Sequence, residues 1–439
     1  MSIAAPLARF ALAEDPGSPA ARRFARLSLF DWATAGLAGR SEPVAIAARR
    51  MAVSESGAGA SLIGGGTATP RAAALANGTT SHALDYDDTH FLHIGHPSVV
   101  VMSAALAMAE MEGSSGQAFL DALVVGLEAT CRVGDWLGRS HYEAGFHQTG
   151  TAGAFGATVA AGRIAGLDEA AMIFALGLAT TRASGLKSQM GTMAKPLNAG
   201  FAAEAGVTCA LLARAGVASN PNGFEDRQGF GPTHAGSGHM AAFDGLGETW
   251  VFPDISYKFH ACCHGLHATL EALRSLRDDG LAPDAIRSVT ISTNPRWFDV
   301  CNKPEPATGL EAKFSYRLVT AMALYGLDTA DLAVYDAANC VRPDLVALRD
   351  RVTVEADPTL TDTQSRVSVE TRDGRQLTAR HDLLAAADPD TIETRLAAKS
   401  ATLLGDDLSG ALLQAVDSLG EAADVTALAT LLATKAPAD

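Results

Sequence analysis

Apolar residues recur at steps of three and four from residue 22 to about residue 280, and this pattern constrains the fold more than any other feature. Such a period places the apolar side chains on one face of an α-helix. Glycine or proline stands near the ends of these segments, where helices commonly begin or stop. The sequence therefore predicts successive helices over 22–38, 97–111, 117–137, 149–165, 169–183, 196–215 and 264–276.

The pattern changes after residue 280, where apolar and polar residues alternate, as they do in a half-buried strand. The alternation predicts strands over 287–293, 351–355, 366–370 and 376–380. Asp373-Gly374 stands between the last two, and such a pair favours a hairpin turn. Helical patterns return at 312–325, 345–349, 391–403 and 408–432.

These two sequence patterns predict a mainly α protein with two domains. The chain has 439 residues, of which 48% are hydrophobic, so it is long enough to bury more than one core. We expect a large all-helical domain formed by both chain ends, residues 1–266 and 389–439. A smaller α+β domain, residues 267–388, is inserted between them.

Charge and cysteine content exclude several classes of function. The net charge of −15 would repel a nucleic-acid backbone, and no segment is long and apolar enough to cross a membrane. The six cysteines form no CxxC pair, which predicts reduced thiols. The first thirty residues lack the apolar core of a signal peptide. We therefore expect a cytoplasmic protein that binds neither nucleic acid nor membrane.

No familiar cofactor motif is present: the sequence lacks a GxxxxGK[ST] loop, a GxSxG elbow, an HExxH helix and a complete dinucleotide fingerprint. Instead, four polar segments each stand at the start of a predicted helix. Helix N-termini attract carboxylates, and a neighbouring lysine or histidine strengthens this attraction. The segments are centred on His96, on His147, on Lys195, and on the run from Lys258 to His267.

A metal site is the alternative interpretation of the first segment. Six potential ligands fall within twelve residues, and mixed His/Asp sets bind Zn, Fe or Mn. They are Asp85, Asp87, Asp88, His90, His93 and His96. Their spacing matches no familiar ligand motif, so we favour a site without metal. The aspartates could also cap a turn, and Tyr316 could simply fill a helix face.

Taken together, these segments resemble the MmgE/PrpD family along nearly the whole chain. The resemblance is carried by His82-Ala-Leu-Asp-Tyr-Asp-Asp-Thr89, His96-Pro-Ser98, Gly145-Phe-His-Gln-Thr-Gly-Thr151, Gly191-Thr-Met-Ala-Lys-Pro-Leu197 and the Lys258–His267 run. It implies a homodimer and a pocket without metal or other cofactor. It also implies catalytic roles for Asp85, His96, His147, Lys195, His264 and Tyr316, and substrate contacts for Thr89, Lys258 and His267.

The family's chemistry is proton movement beside a carboxylate of a small di- or tricarboxylic acid. The resemblance implies a lyase similar to 2-methylcitrate dehydratase or cis-aconitate decarboxylase. An epimerase similar to iminodisuccinate epimerase is the first alternative, and an inactive ligand-binding member is the second. In the expected roles, Lys195 with Thr89 holds carboxylates, His96 or His147 acts as base or acid, and Asp85 orients a histidine. Tyr316 donates a proton or fixes the substrate.

Overall fold

The protein is described by a computed structural model that covers residues 2–55, 57, 59–385 and 388–436. Backbone contacts divide these residues into two compact units. Unit 1 comprises the described residues up to Tyr257 and those from Leu404 onward. Unit 2 comprises the described residues of Lys258–Leu403. Helices predominate over strands in the described chain, so the expected mainly α class is confirmed.

Unit 1 contains ten α-helices among its described residues before Tyr257. They are α1 (Ala4–Ala11), α2 (Pro19–Gly39), α3 (Pro43–Ser54), α4 (Pro70–Ser81), α5 (Pro97–Glu112), α6 (Gly116–Glu143), α7 (Gln148–Ile164), α8 (Glu169–Ala179), α9 (Leu197–Arg214) and α10 (Phe230–Thr233). Local sequence signals set several of these limits. The side chains of Ser18, Ser115 and Asp168 accept hydrogen bonds from backbone N–H groups in the first turns of α2, α6 and α8.

Small residues let the central helices α5, α6, α7 and α9 pack closely. Every residue of α7 from Gln148 to Gly162 is buried. A Cβ atom at Gly156 of α7 would lie 1.8 Å from Oγ1 of Thr130 on α6, so any larger residue would force these helices apart. This close packing supplies rigid helices whose N-termini carry polar residues.

The expectation that the first domain is entirely helical was wrong in one segment. Ala60–Ser61 (β1) and Thr67–Ala68 (β2) pair antiparallel, with Ala60 opposite Ala68. The chain reverses between them through three consecutive glycines, Gly64, Gly65 and Gly66, which all have positive φ. Glycine adopts this conformation without a steric penalty, so the run makes a turn that apolar periodicity does not reveal.

Unit 2 combines a four-stranded sheet with seven α-helices among its described residues. The strands are β3 (Ile286–Thr293), β4 (Val352–Ala356), β5 (Gln364–Thr371) and β6 (Gln376–Asp382), in the order β4-β3-β5-β6. The helices are α11 (His267–Asp278), α12 (Pro295–Cys301), α13 (Gly309–Ala312), α14 (Tyr316–Leu324), α15 (Ala337–Val341), α16 (Pro343–Arg349) and α17 (Pro389–Leu404).

The sheet follows the predicted alternation. Buried and partly buried residues alternate along β5, and β3 pairs parallel to β4 but antiparallel to β5. β5 and β6 form the expected hairpin, in which Gly374 takes φ +86°.

The limits of unit 2 differ from the domain limits that the sequence predicts. Unit 2 includes residues 258–266 and 389–403, which the prediction from the sequence places in the helical domain. Buried Ile392 and Leu396 and the ion pair of Arg395 with Glu271 on α11 hold α17 in unit 2. The chain then enters unit 1 with α18 (Asp406–Asp417) and α19 (Thr426–Leu432), which contact α2. None of the described helices is long and apolar enough to cross a membrane.

Candidate functional site

The loop 82–96 connects α4 to α5 and carries most of the polar side chains that the sequence singles out. His96 is the N-cap residue of α5. Asp85 and Ile94 have left-handed backbone angles, φ 53° and 56°, which residues other than glycine rarely adopt. Conformations of this kind persist only where the surrounding structure enforces them, and they are common in functional segments.

Asp87 is fully buried in this loop and contacts two imidazole rings. Its Oδ1 lies 2.9 Å from Nδ1 of His82, and its Oδ2 lies 3.1 Å from Nδ1 of His96. Burial acts to raise the pKa of Asp87, but the two imidazoles stabilise its charge more strongly. The pKa therefore lies well below its usual range. As a carboxylate, Asp87 is positioned to orient both rings.

Lys195 joins this cluster from the turn that precedes α9. Its Nζ donates to Oδ1 of Asp85 at 2.6 Å, and Nε2 of His96 lies 3.3 Å from the same oxygen. The side chain of Lys195 is only 11% exposed, whereas that of Asp85 is 51% exposed. The ammonium group is thus held in a largely buried place, with a solvent-accessible carboxylate as its partner.

His147 stands at the N-cap of α7, and its ring stacks against that of His82 with a centroid separation of 6.2 Å. Nδ2 of Asn198 lies 3.0 Å from Nδ1 of His147. With the amide as donor, Nδ1 is the acceptor and the ring hydrogen lies on Nε2. Burial, and then the charge of Lys195, lowers the pKa of His147 well below its usual range. His147 is therefore neutral near pH 7.

His82 completes the cluster, with its ring centroid 4.6 Å from that of His96. Burial lowers its pKa to about 4 despite the nearby Asp87. A neutral His82 donates from Nδ1 to Asp87, which leaves its Nε2 as an acceptor. The cluster thus combines one ammonium group with imidazoles that are oriented by fixed partners. Such a set can bind a carboxylate and transfer a proton.

The six residues of the metal interpretation do not converge. Asp88 accepts a hydrogen bond from Ser98 at 2.5 Å, and burial, together with Asp31, raises its pKa well above the usual range. His90 faces the carbonyl of Val251 at 2.9 Å, and His93 packs against Gly134.

Three of the six, Asp85, Asp87 and His96, do come together with His82 in a geometry that suits a metal. One ligand atom from each of His82, Asp85, Asp87 and His96 lies within 4.8 Å of the others. The ammonium group of Lys195 bonds to one of the two carboxylates in this set, Asp85, and so provides a positive charge at the same place.

Thr89 lies beside this cluster in sequence but makes a backbone contact. It pairs antiparallel with Ser256 through two backbone hydrogen bonds of 2.9 and 2.7 Å. Its Oγ1 also donates to the Ser256 carbonyl at 3.3 Å. Thr89 therefore anchors the loop 82–96 within unit 1.

Unit 2 carries the remaining predicted site residues. Lys258 is buried, and the rings of His264 and His267 meet edge to face with their centroids 4.9 Å apart. Nε2 of His267 lies 3.4 Å from the carbonyl oxygen of Cys262, and burial lowers the pKa of His267 well below its usual range. His264 is only partly buried, so of the two histidines it is the more accessible.

Tyr316 is completely buried in unit 2. Its hydroxyl donates to the carbonyl of Gly265 at 2.7 Å and lies 2.7 Å from Oγ1 of Thr293. Burial raises its pKa well above the usual range. The hydroxyl therefore supports the turn that follows His264.

The structure thus brings Asp85, His96, His147 and Lys195 together within unit 1, and it gathers His264, His267 and Tyr316 within unit 2. The site residues predicted from the sequence omit three residues with clear contacts to the first group: His82, Asp87 and Asn198. A signal for His82 and Asp87 is present, because both lie in the motif that carries the resemblance, but from the sequence Asp87 is interpreted only as a metal ligand or a turn cap.

Two family models match the chain. The MmgE/PrpD N-terminal domain matches residues 5–241, and the MmgE/PrpD C-terminal domain matches residues 260–407. Together they cover most of both units.

Three curated proteins illustrate the similarity. A cis-aconitate decarboxylase-like protein of Aspergillus oryzae is 32% identical over 58% of this chain and 59% of its own length. The cis-aconitate decarboxylase of Homo sapiens is 26% identical over 84% of this chain and 80% of its own. That of Aspergillus terreus is 31% identical, but the match spans about half of each chain, 51% and 48%.

Proposed function

The chain belongs to the MmgE/PrpD family, and from this premise we propose that it is a lyase that acts on a small di- or tricarboxylic acid. It moves a proton at a carbon beside a carboxylate, and it uses side chains instead of a cofactor. The observation that carries this proposal is the contact of buried Lys195 with the exposed carboxylate of Asp85, next to His96.

Lys195 binds a substrate carboxylate in this mechanism. The carboxylate of Asp85 is half exposed and accepts from Nζ of Lys195 at 2.6 Å, so a substrate carboxylate can replace or join it at the ammonium group. A charge-assisted hydrogen bond to a desolvated lysine is stronger than one in water. The site can therefore bind an anion although the net charge of the chain is negative.

His96 and His147 serve as the acid and base. Both ring nitrogens of His96 lie near carboxylate oxygens, Nδ1 at 3.1 Å from Asp87 and Nε2 at 3.3 Å from Asp85, so acceptors for its protons stand on both sides of the ring. We therefore assign His96 as the acid. We assign neutral His147 as the base: its Nε2 can take a proton once the ring hydrogen lies on Nδ1, where the side-chain oxygen of Asn198 accepts it in place of the amide nitrogen. Asp87 orients His96.

Decarboxylation is the reaction that we propose first, because the relatives described above carry that activity in their names. The bond between the substrate and one carboxylate carbon breaks, CO₂ leaves, and the electron pair remains on the substrate carbon. That carbon then takes a proton from an imidazolium. Dehydration and epimerisation begin instead with removal of a proton, for which His147 is suited. They remain the alternatives.

One NMR experiment distinguishes these reactions. The protein is incubated in deuterated water with cis-aconitate, 2-methylcitrate, citrate and iminodisuccinate in turn. We expect cis-aconitate to lose CO₂ and to gain one deuterium at the protonated carbon. A new alkene would indicate dehydration, and exchange with inversion would indicate epimerisation. If no substrate reacts or exchanges, the lyase proposal fails and a binding-only member is favoured.

The metal alternative has its own test. Two measurements test whether His82, Asp85, Asp87 and His96 hold a metal. They are the metal content of the purified protein and its turnover with and without a chelator. We expect substoichiometric metal and unchanged turnover, since Lys195 supplies the positive charge. Stoichiometric metal with turnover that a chelator abolishes would overturn the cofactor-free mechanism.

We also propose that the chain forms a homodimer. Exposed apolar side chains on α9 and in the turn before it, Phe201, Met190 and Met193, support this, because such residues are common where chains associate. Light scattering after size-exclusion chromatography gives the mass directly. A monomer at micromolar concentration would contradict the proposal.

A further inference from the structure

Unit 2 contains a cavity whose walls are α11, the segment 326–330 after α14, and α17. It encloses about 340 Å³, which lies within the range of small-molecule sites. All of its lining residues belong to unit 2, and none of them is a residue of the proposed mechanism. The cavity therefore has no part in the function proposed above.

Basic side chains form most of the charged part of the lining. Asp328 is the one acidic residue among the described lining residues, although Glu271 lies behind them and Asp278 lies beside Arg274. Basic residues outnumber these three acids. The basic residues are Arg274, Arg277, Arg395 and Lys399. In a chain of net charge −15, this local excess is unusual and creates a place where anions can concentrate.

Glu271 holds the basic side chains in position and does not cancel their excess charge. It is buried on α11 and binds Nε2 of His260 at 3.0 Å and Nε of Arg274 at 3.1 Å. Arg395 binds both of its carboxylate oxygens and also stacks over the ring of Phe259 at 3.7 Å. These contacts hold two guanidinium groups at defined positions along the wall.

Two further cations complete the lining. Lys399 is one helical turn after Arg395 on α17, and it is only 2% exposed. Arg277 is exposed and donates from Nη1 to the carbonyl of Ala323 at 3.0 Å. Within the described ranges it forms no ion pair, so its guanidinium group retains donors for a ligand.

We propose that this cavity binds a small organic or inorganic oxyanion with at least two negative charges. Arg277 and Arg274 bind one charged group through their planar guanidinium forks, and Lys399 binds the other as a point charge. Phosphate esters and polycarboxylates share this chemistry. Occupation stabilises unit 2 by mass action, because the site exists only in the folded protein.

Isothermal titration calorimetry of the full chain with inorganic pyrophosphate and, separately, with citrate tests the proposal. We expect saturable binding with a dissociation constant of about 1 mM or lower for at least one of them. The anion whose binding Arg277→Gln weakens more identifies phosphate or carboxylate as the preferred group, because citrate can also bind at the proposed site of unit 1. The Arg277→Gln variant should bind about tenfold more weakly, since it loses a charge-assisted hydrogen bond.

The Arg375→Gln variant is the matched control, because Arg375 is an exposed arginine in the hairpin after β5 and does not line the cavity. It should bind as the unmodified chain does. Thermal unfolding without ligand should be unchanged in both variants, and turnover should be unchanged in Arg277→Gln. Lys399→Met should weaken binding at least as much as Arg277→Gln. Absence of saturable binding by either anion, or binding that Arg277→Gln leaves unchanged, would overturn the site.

Discussion

Each unit places buried histidine beside one ionised carboxylate, but the other partners of that carboxylate differ. In unit 1, Asp87 contacts only the imidazoles of His82 and His96 among the hydrogen bonds and ion pairs seen in the described chain. In unit 2, Glu271 contacts His260 and is also bound by Arg274 and Arg395. A histidine beside a buried acid therefore does not by itself indicate catalysis.

The two carboxylates differ in whether the groups around them can still react with a ligand. Asp87 orients the rings of His82 and His96 through their Nδ1 atoms. Nε2 of His96 faces Asp85 and Nε2 of His82 remains an acceptor, so both rings can still exchange protons with a ligand. Glu271 is saturated by cations, and its contacts join α11 to α17. In the function proposed above the first arrangement serves chemistry, whereas the second holds α11 and α17 together. Each of the following substitutions tests this distinction.

The largest effect should come from removing the groups proposed to bind the substrate carboxylate and to transfer the proton. Lys195→Met and His147→Gln should each lower turnover by at least about two orders of magnitude, because general acid–base and electrostatic contributions have this size. Steady-state rates with the substrate identified by NMR provide the measurement. Lys187→Met is the control, since Lys187 lies in the same region and donates to the carbonyl of Tyr142. Near-normal turnover in both test variants would refute the assignment.

Glu271→Gln should affect stability and leave chemistry intact. Removing this buried carboxylate leaves Arg395 and His260 without their partner, which costs about 3 kcal/mol in the free energy of unfolding. Urea unfolding measures this loss. Turnover of the folded variant should change less than about twofold. A variant that keeps its stability but loses turnover by two orders of magnitude or more would reverse the roles of the two units.

The same residue predicts a pH dependence. Burial acts to raise the pKa of Glu271, but His260 and Arg395 hold it well below the usual range. Its folded-state pKa is therefore lower than its unfolded value of about 4.3. The stability that it contributes is present above pH 4.3 and is lost as the pH falls below that value. Urea unfolding between pH 3 and pH 6 should show this loss in the unmodified chain and a smaller loss in Glu271→Gln.

Asp87→Asn should have a smaller effect on activity than removal of Lys195, because Asp87 orients the rings and does not itself bind substrate. We expect about a tenfold loss of kcat, a KM that changes little, and a shifted pH profile, since the amide no longer stabilises an imidazolium. Asp88→Asn is the matched control, because Asp88 binds Ser98 outside the cluster. Equal losses in the two variants would indicate a structural effect alone.

Much of the fold could be predicted because the core helices have strong periodicity. The limits predicted for 97–111 and 149–165 agree with α5 and α7 to within one residue at each end. By contrast, the pattern at 408–432 contains two α-helices, and the unit limits shift because α17 packs in unit 2. Periodicity identifies a helix face, but tertiary contacts decide which core buries it.

The site could be predicted only in part, for a geometric reason. Sequence alone could not tell which of Asp85, Asp87 and Asp88 faces the histidines. The left-handed backbone at Asp85 breaks any simple alternation, so Asp87 points to His82 and His96 while Asp88 points to Ser98. Such a conformation depends on packing across the whole loop and has no short sequence signature at a residue other than glycine.

Tyr316 gives the smallest expected effect and the sharpest test of unit 2. Its buried hydroxyl donates to the carbonyl of Gly265, so Tyr316→Phe should cost about 1 kcal/mol in the free energy of unfolding. If the hydroxyl only supports the turn after His264, turnover should fall by less than about fivefold with an unchanged pH profile. Thr293→Val removes the neighbouring hydroxyl at 2.7 Å and serves as the comparison. A loss of two orders of magnitude in Tyr316→Phe alone, at unchanged stability, would instead mean that this hydroxyl reaches the substrate during turnover and donates the proton.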